Sequence, residues 1–134
     1  MADDRFEKGM AIRTSVLGAA HVARTEARKT SLDADFHRYI TESAWGSVWA
    51  RPGLDWKARS MITIAMLAAL GRKEELALHI RATRNTGVSA DEITEILMQV
   101  AVYAGVSAAN TAFAVAKAVF AAPGDSVADD GHPQ

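Results

Sequence analysis

The 134-residue chain contains no cysteine. Disulfide scaffolds, thiol peroxidases, Cys-x-x-Cys oxidoreductases and zinc ribbons are thereby excluded, and a reducing compartment suits the protein. An excess of either charge is missing too, because 15 Lys and Arg stand against 16 Asp and Glu, a net charge of −1. No window holds the unopposed Lys and Arg that neutralise a phosphate backbone, so nucleic acid is not an expected partner. Long apolar runs are also lacking. The longest, Met61 to Leu70 with Thr63 inside it, is about half of what a membrane crossing needs, so no membrane partner is expected either. The start of the chain, Met1-Ala2-Asp3-Asp4-Arg5-Phe6-Glu7-Lys8, is charged and mixed in sign, unlike a secretion signal. A cytoplasmic protein is expected. A chain of this length reads as a single domain over residues 1–134, able to bury about two thirds of its unfolded surface without staples.

What is present is alanine, 27 of 134 residues, without β-branched runs or polar-apolar alternation. That composition predicts an all-α fold, and the apolar spacing divides it into six helices. The first covers about residues 5–28, with Met10, Val16, Leu17, Ala20 and Ala23 near helical spacing and no glycine to stop its end. Ser31 can cap a second that runs to about Trp49, in which Phe36, Tyr39, Ile40, Ser43 and Ala44 recur at three and four. Arg51-Pro52-Gly53 breaks it. Asp55 reads as the cap of a third helix, apolar almost all round and therefore central, ending at Gly71. A fourth runs from about Lys73 to Asn85 and stops at Thr86-Gly87. Ser89-Ala90-Asp91-Glu92 is a capping box opening a fifth helix from Ala90 to about Tyr103, before Gly105. Ser107 opens a sixth, rich in alanine, that ends at Ala121. Its small-residue surface suits either a subunit contact or the core of its own chain. The ordered core is thus about residues 5–121, with a flexible tail over 122–134.

Four histidines, His21, His37, His79 and His132, include no pair at i, i+3 or i, i+4, which argues against a metal site. Glu75 lies one helical turn before His79. A carboxylate beside an imidazole raises its proton affinity and fixes its tautomer, which suits a general acid or base near neutral pH. The same spacing also occurs on ordinary exposed helix faces. Arg59 stands just before the apolar stretch 61–70, where a charge needs a carboxylate partner, and an anionic substrate or an internal acid such as Glu42 or Glu75 would serve. Trp45, Trp49 and Trp56 surround the turn at 51–54, where they can wall a pocket or pack in the core.

Several stretches together resemble the γ-carboxymuconolactone decarboxylase family. They are Trp45-Gly46-Ser47-Val48-Trp49-Ala50-Arg51-Pro52-Gly53-Leu54, Arg59-Ser60, Leu67-Ala68-Ala69-Leu70-Gly71, Glu75 with His79-Ile80-Arg81-Ala82, Asn85-Thr86-Gly87-Val88, Glu92-Ile93, Tyr103-Ala104-Gly105-Val106 and Ala108-Ala109-Asn110-Thr111-Ala112-Phe113. The resemblance covers about residues 9–120. The broader superfamily, similar to alkylhydroperoxidase D, uses a Cys-x-x-Cys-x-x-x-His motif; its histidine matches His79, while Arg72 and Glu75 occupy the cysteine positions. Peroxidase chemistry is excluded. Ala104 stands where the decarboxylases commonly have Cys, and Ser107 where they commonly have Pro.

The resemblance implies an alkylhydroperoxidase D-like bundle and cofactor-independent decarboxylation of γ-carboxymuconolactone to β-ketoadipate enol-lactone in protocatechuate breakdown. No cofactor and no metal are expected. By the same resemblance His79 is the proton donor, to carbon or to the lactone oxygen, and Glu75 orients it. Arg51 and Arg59 contact the two substrate carboxylates, Trp45 forms an apolar wall, and Asn110 supplies an amide donor. The implied partners are a small lactone dicarboxylate and further copies of the chain, in a homo-oligomer of hexamer type. Two other readings stand beside this one: a lyase or isomerase of the same superfamily acting on another small lactone or oxo-acid, and a non-catalytic helical assembly in which His79 is structural.

Overall fold

Eight α-helices and one π-helical turn make up most of residues 4–122, the part of the chain that the computed structural model describes. No strand occurs among the described residues. The all-α expectation holds, and the count of six helices is corrected, because two of the long helices read from the sequence are each broken. The tail expected over 122–134 falls, from residue 123 onward, outside the described residues. The chain divides after Trp56 into two compact units.

The first unit holds α1 (Arg5–Leu17), α2 (Ala19–Arg28), α3 (Ala34–Ile40) and the π-helical turn (Thr41–Trp45). Gly18 separates α1 from α2 with φ +99° and ψ 141°, a backbone conformation that side chains oppose. The interior glycine, not an end signal, is what breaks the predicted first helix, and α2 packs back on α1. Val16, Leu17 and Val22 are buried around this corner. The second predicted helix starts later than Ser31, at Ala34. Asp33 accepts a hydrogen bond from the Thr30 backbone N–H at 2.9 Å and closes a turn across the expected start. Phe36 and Tyr39, which share the three-and-four spacing, are exposed. The turn after α3 widens, with Gly46 N–H donating to Thr41 C=O and Trp49 N–H to Ala44 C=O, both at 2.9 Å and both spanning five residues.

Arg13 is buried, 5% exposed, and its Nη1 lies 3.2 Å from Glu26 Oε2; Lys29 Nζ sits 2.8 Å from the other oxygen. The hydrogen bond from Lys29, helped by Arg13 and opposed by partial burial, holds the Glu26 carboxyl below its ordinary value of 4.5. A carboxyl whose pKa is lowered by folding adds stability above its unfolded value and loses it as pH falls through the folded one. Glu26→Gln is therefore expected to cost about 2 kcal/mol at pH 7, measured by urea unfolding, since it leaves a buried guanidinium short of its carboxylate. The gap to wild type should narrow below pH 4.5 and close once the wild-type carboxyl is itself protonated.

The second unit holds α4 (Trp56–Leu70) from its second residue on, α5 (Lys73–Arg81), α6 (Thr83–Thr86), α7 (Ala90–Ala104) and α8 (Val106–Ala121). Its core joins Ile64 and Ala68 of α4, Leu76 and Ile80 of α5, Ile93, Ile96, Leu97 and Val100 of α7, and Ala109, Ala112 and Ala116 of α8. The small residues of α8 thus face its own chain, where α5 and α7 pack closely on it. The capping box forms as read: Glu92 N–H donates to Ser89 Oγ at 3.0 Å and Ser89 N–H to Glu92 Oε1 at 2.9 Å. The predicted fourth helix breaks at Ala82, where Thr83 Oγ1 donates to the Ile80 carbonyl at 2.6 Å and takes up an acceptor the helix ladder would otherwise use. Helix α4 departs from its central reading. Ser60, Ile64 and Ala68 are buried, but Ile62, Met66 and Leu70, spaced by four, are 45%, 53% and 66% exposed.

Candidate active site

Four of the six candidate residues belong to the second unit. Arg59 lies in the first turns of α4, Glu75 and His79 on α5, and Asn110 on α8. The amphipathic pattern of α5 sets the pair: Leu76, Leu78 and Ile80 are buried, His79 is partly buried with its Nδ1 closed off from solvent, and Glu75, one turn earlier, is exposed. An imidazole in that position has a dry side and a wet side, which lets it hold a fixed orientation and still exchange protons. Arg59 is likewise partly buried, with its Nε enclosed. Its turn is tied by Thr63 Oγ1 donating to the Arg59 carbonyl at 2.8 Å.

Asn110 is exposed, next to buried Ala109, on the helix that packs against α5. Helices α4, α5 and α8 share one core, so the cation, the acid-base pair and the amide are carried by elements that pack together. The remaining two candidates stand in the first unit. Trp45 is buried and stacks on Trp49, ring centroids 4.8 Å apart at 31°, so its ring is a packing element there. Arg51 is exposed in the turn that follows. Glu42, one of the acids considered for Arg59, pairs with Arg38 at 3.2 Å.

Two residues that stand within the matched stretches have no role assigned from the sequence. Arg81, two residues after His79, is buried and lines a groove of about 350 Å³ between α5 and α8 with Lys73, Glu74 and Val119. Ser60, next to Arg59, is buried and accepts a hydrogen bond from Thr86 Oγ1 at 3.0 Å. Beside the matched stretches, position is their signal: a charge within a helix of apolar neighbours, and a hydroxyl opening an apolar stretch. A second groove, of about 510 Å³, runs between α4 and α7 and is lined by apolar side chains with Gln99 and Tyr103; none of the six candidates lines it. Among the described residues no group of three or more His, Asp and Glu is placed to hold a metal ion, and no helix is long and apolar enough to cross a membrane.

Known proteins bear on this arrangement. The model of the carboxymuconolactone decarboxylase family matches residues 34–118, a span that contains all six candidate residues. A 4-carboxymuconolactone decarboxylase of Acinetobacter baylyi is 44% identical over 118 residues, 88% of each chain. A nitrosuccinic acid decarboxylase of Metarhizium robertsii is 40% identical over 100 residues, 75% of this chain and 70% of that protein.

Proposed function

The chain belongs to the carboxymuconolactone decarboxylase family, and from that premise we infer that it is a carboxy-lyase converting 4-carboxymuconolactone to β-ketoadipate enol-lactone and CO₂. The observation that carries this reading is the 44% identity to a decarboxylase of that substrate across 88% of both chains. The matched span, 34–118, crosses the division between the two units and supports reading them as one domain of the alkylhydroperoxidase D-like kind.

The substrate supplies its own electron sink. The bond between the ring carbon and its carboxylate breaks, CO₂ leaves, and the electron pair passes through the ring double bond to the lactone carbonyl oxygen. Protonation of the resulting furanolate on carbon restores the carbonyl and gives the enol-lactone. Nitrosuccinic acid, named in the Metarhizium relative, can store the pair in its nitro group by the same logic. The protein's tasks are to hold the carboxylate that stays, desolvate the one that leaves, stabilise the oxyanion and deliver one proton.

His79 delivers the proton, to carbon or at the lactone oxygen, and Glu75 orients the ring. Partial burial of His79, with Nδ1 enclosed, supports this role, because it limits the ring to a few orientations. Arg59 and Arg51 contact the carboxylates. A tight grip on the leaving carboxylate would stabilise the ground state, so the stronger contact falls on the carboxymethyl arm. Asn110 supplies an amide donor and Trp45 an apolar wall. Neither cofactor nor metal enters the scheme.

A homo-oligomer, of hexamer type, is part of the same proposal. The exposed row Ile62, Met66 and Leu70 on α4, with exposed Tyr103 of α7 lining the same groove as Ile62 and Met66, supports it, since an apolar face of this kind calls for cover. A cytoplasmic setting completes the reading. The test is turnover of 4-carboxymuconolactone by pure protein with chelator present, followed by CO₂ release and ultraviolet absorbance. Turnover is expected; an inert lactone with active nitrosuccinate or another muconolactone would move the function to a sister reaction.

A further inference from the structure

Two hydroxyls with no part in the proposed chemistry are buried together in the second unit. Ser60 is 1% exposed and Thr86 is buried, and Thr86 Oγ1 donates to Ser60 Oγ at 3.0 Å across 26 residues of chain. Such a bond adds little net stability, because both groups give up water to make it. It is directional, whereas the apolar packing around it is not. One hydroxyl adjoins a candidate site residue and the other ends the helical segment that follows a second one. Ser60 follows Arg59 on α4. Thr86 closes α6, which continues α5 and His79 despite the break between them: Ala82 N–H donates to Leu78 C=O at 3.0 Å, Thr86 N–H to Ala82 C=O at 3.1 Å, and Thr83 Oγ1 to Ile80 C=O at 2.6 Å. Helices α5 and α6 share Ala82 as a cap and so form one bent, hydrogen-bonded rod.

We propose that Ser60 and Thr86 are positioning residues, whose hydrogen bond fixes the register of α4 against the α5–α6 rod and thereby the separation of Arg59 from His79. Ile64 and Ala68 of α4 share one apolar core with Leu76 and Ile80 of α5, and apolar packing alone tolerates a small slide along the helix axes. Decarboxylation does not, because the cation must hold the substrate while the acid meets one carbon, and a shift of about 1 Å can cost 10²-fold in rate. The proposal rests on the roles given above to Arg59 and His79.

The test uses Thr86→Val, which keeps the shape and removes the donor, with Ser60→Ala, the double variant and Thr86→Ser. Thr86→Val and Ser60→Ala are each expected to lower kcat by about 10- to 100-fold with a much smaller change in KM and unaltered helical content. The double variant should be no worse than either single one, as for two ends of one bond. Thr86→Ser, which keeps the donor, should recover most of the wild-type rate. In NMR spectra the imidazole resonances of His79 should move in Thr86→Val and stay in place in Thr86→Ser. A folded Thr86→Val with wild-type kcat and unmoved His79 resonances would overturn the proposal, as would a Thr86→Ser as impaired as Thr86→Val, which would assign the effect to the lost methyl. Should Thr86→Val not fold, Ser60→Ala carries the same comparison. A wild type inert on the lactone overturns the activity alone, and the His79 resonances then decide the positioning role by themselves.

Discussion

His79→Gln is expected to lower kcat on 4-carboxymuconolactone by about 10²- to 10⁴-fold, equivalent to roughly 3 to 5 kcal/mol of barrier, with helical content and unfolding midpoint close to wild type. Glutamine is chosen because it keeps a polar, hydrogen-bonding side chain at a partly buried position and cannot carry the proton. The loss should fall mainly on kcat, since a proton delivered after the carbon-carbon bond has weakened contributes to the transition state and little to substrate binding. Glu75→Gln should lose less, because the imidazole remains and only its orientation suffers. Steady-state kinetics of the two variants against wild type check both statements. Equal and full activity in His79→Gln would move the proton donor to another residue, with the family reaction intact.

Gly46→Ala is expected to be the most damaging change to the fold, costing about 3 kcal/mol, a large part of the total for a domain of this size. A Cβ on Gly46 would overlap the carbonyl oxygen of Arg5 and come within 2.9 Å of that of Glu42. Gly9, across the same contact, would place a Cβ against the Thr41 carbonyl oxygen and 2.8 Å from Gly46 N. These are backbone atoms of α1 and the π-helical turn, and neither side can rotate away as a flexible side chain can. Gly53→Ala, at a position where nothing lies within 4 Å, is the matched control and should be nearly neutral. Urea unfolding of the two variants against wild type checks the order; Gly46→Ala and Gly53→Ala of equal stability would show that α1 yields at little cost. Part of the Trp45–Leu54 segment that carries the family resemblance is thus structural: its glycine is where a helix comes close, and its first tryptophan packs on its second.

The signals that were legible along the chain are those whose physics is local. The Ser89–Glu92 capping box and the glycine ends at Gly71, Gly87 and Gly105 depend on residues a turn apart and formed as read. Glu75 and His79 were placed on one helix by their spacing alone. Where a neighbouring group competes with the helix, the local pattern misled. Thr83 takes the Ile80 carbonyl and breaks α5 from α6, and Asp33 folds the Thr30 turn over the expected cap at Ser31. Burial misled more often than helicity: Phe36, Tyr39 and Leu70 have the right spacing and side chains for a core, yet face outward.

Alanine content, capping residues and helical spacing by themselves determined an all-helical chain and a helix carrying Glu75 and His79, because each of these follows from hydrogen bonds and side chains within one or two turns. The tertiary structure alone decided which faces are covered, that Arg13 and Arg81 are buried charges, that Gly9 and Gly46 mark a close backbone approach, and that Ser60 meets Thr86 across 26 residues. Such contacts depend on how separate helices stack, and hydrophobic spacing gives a helix an inner face without saying what will lie against it.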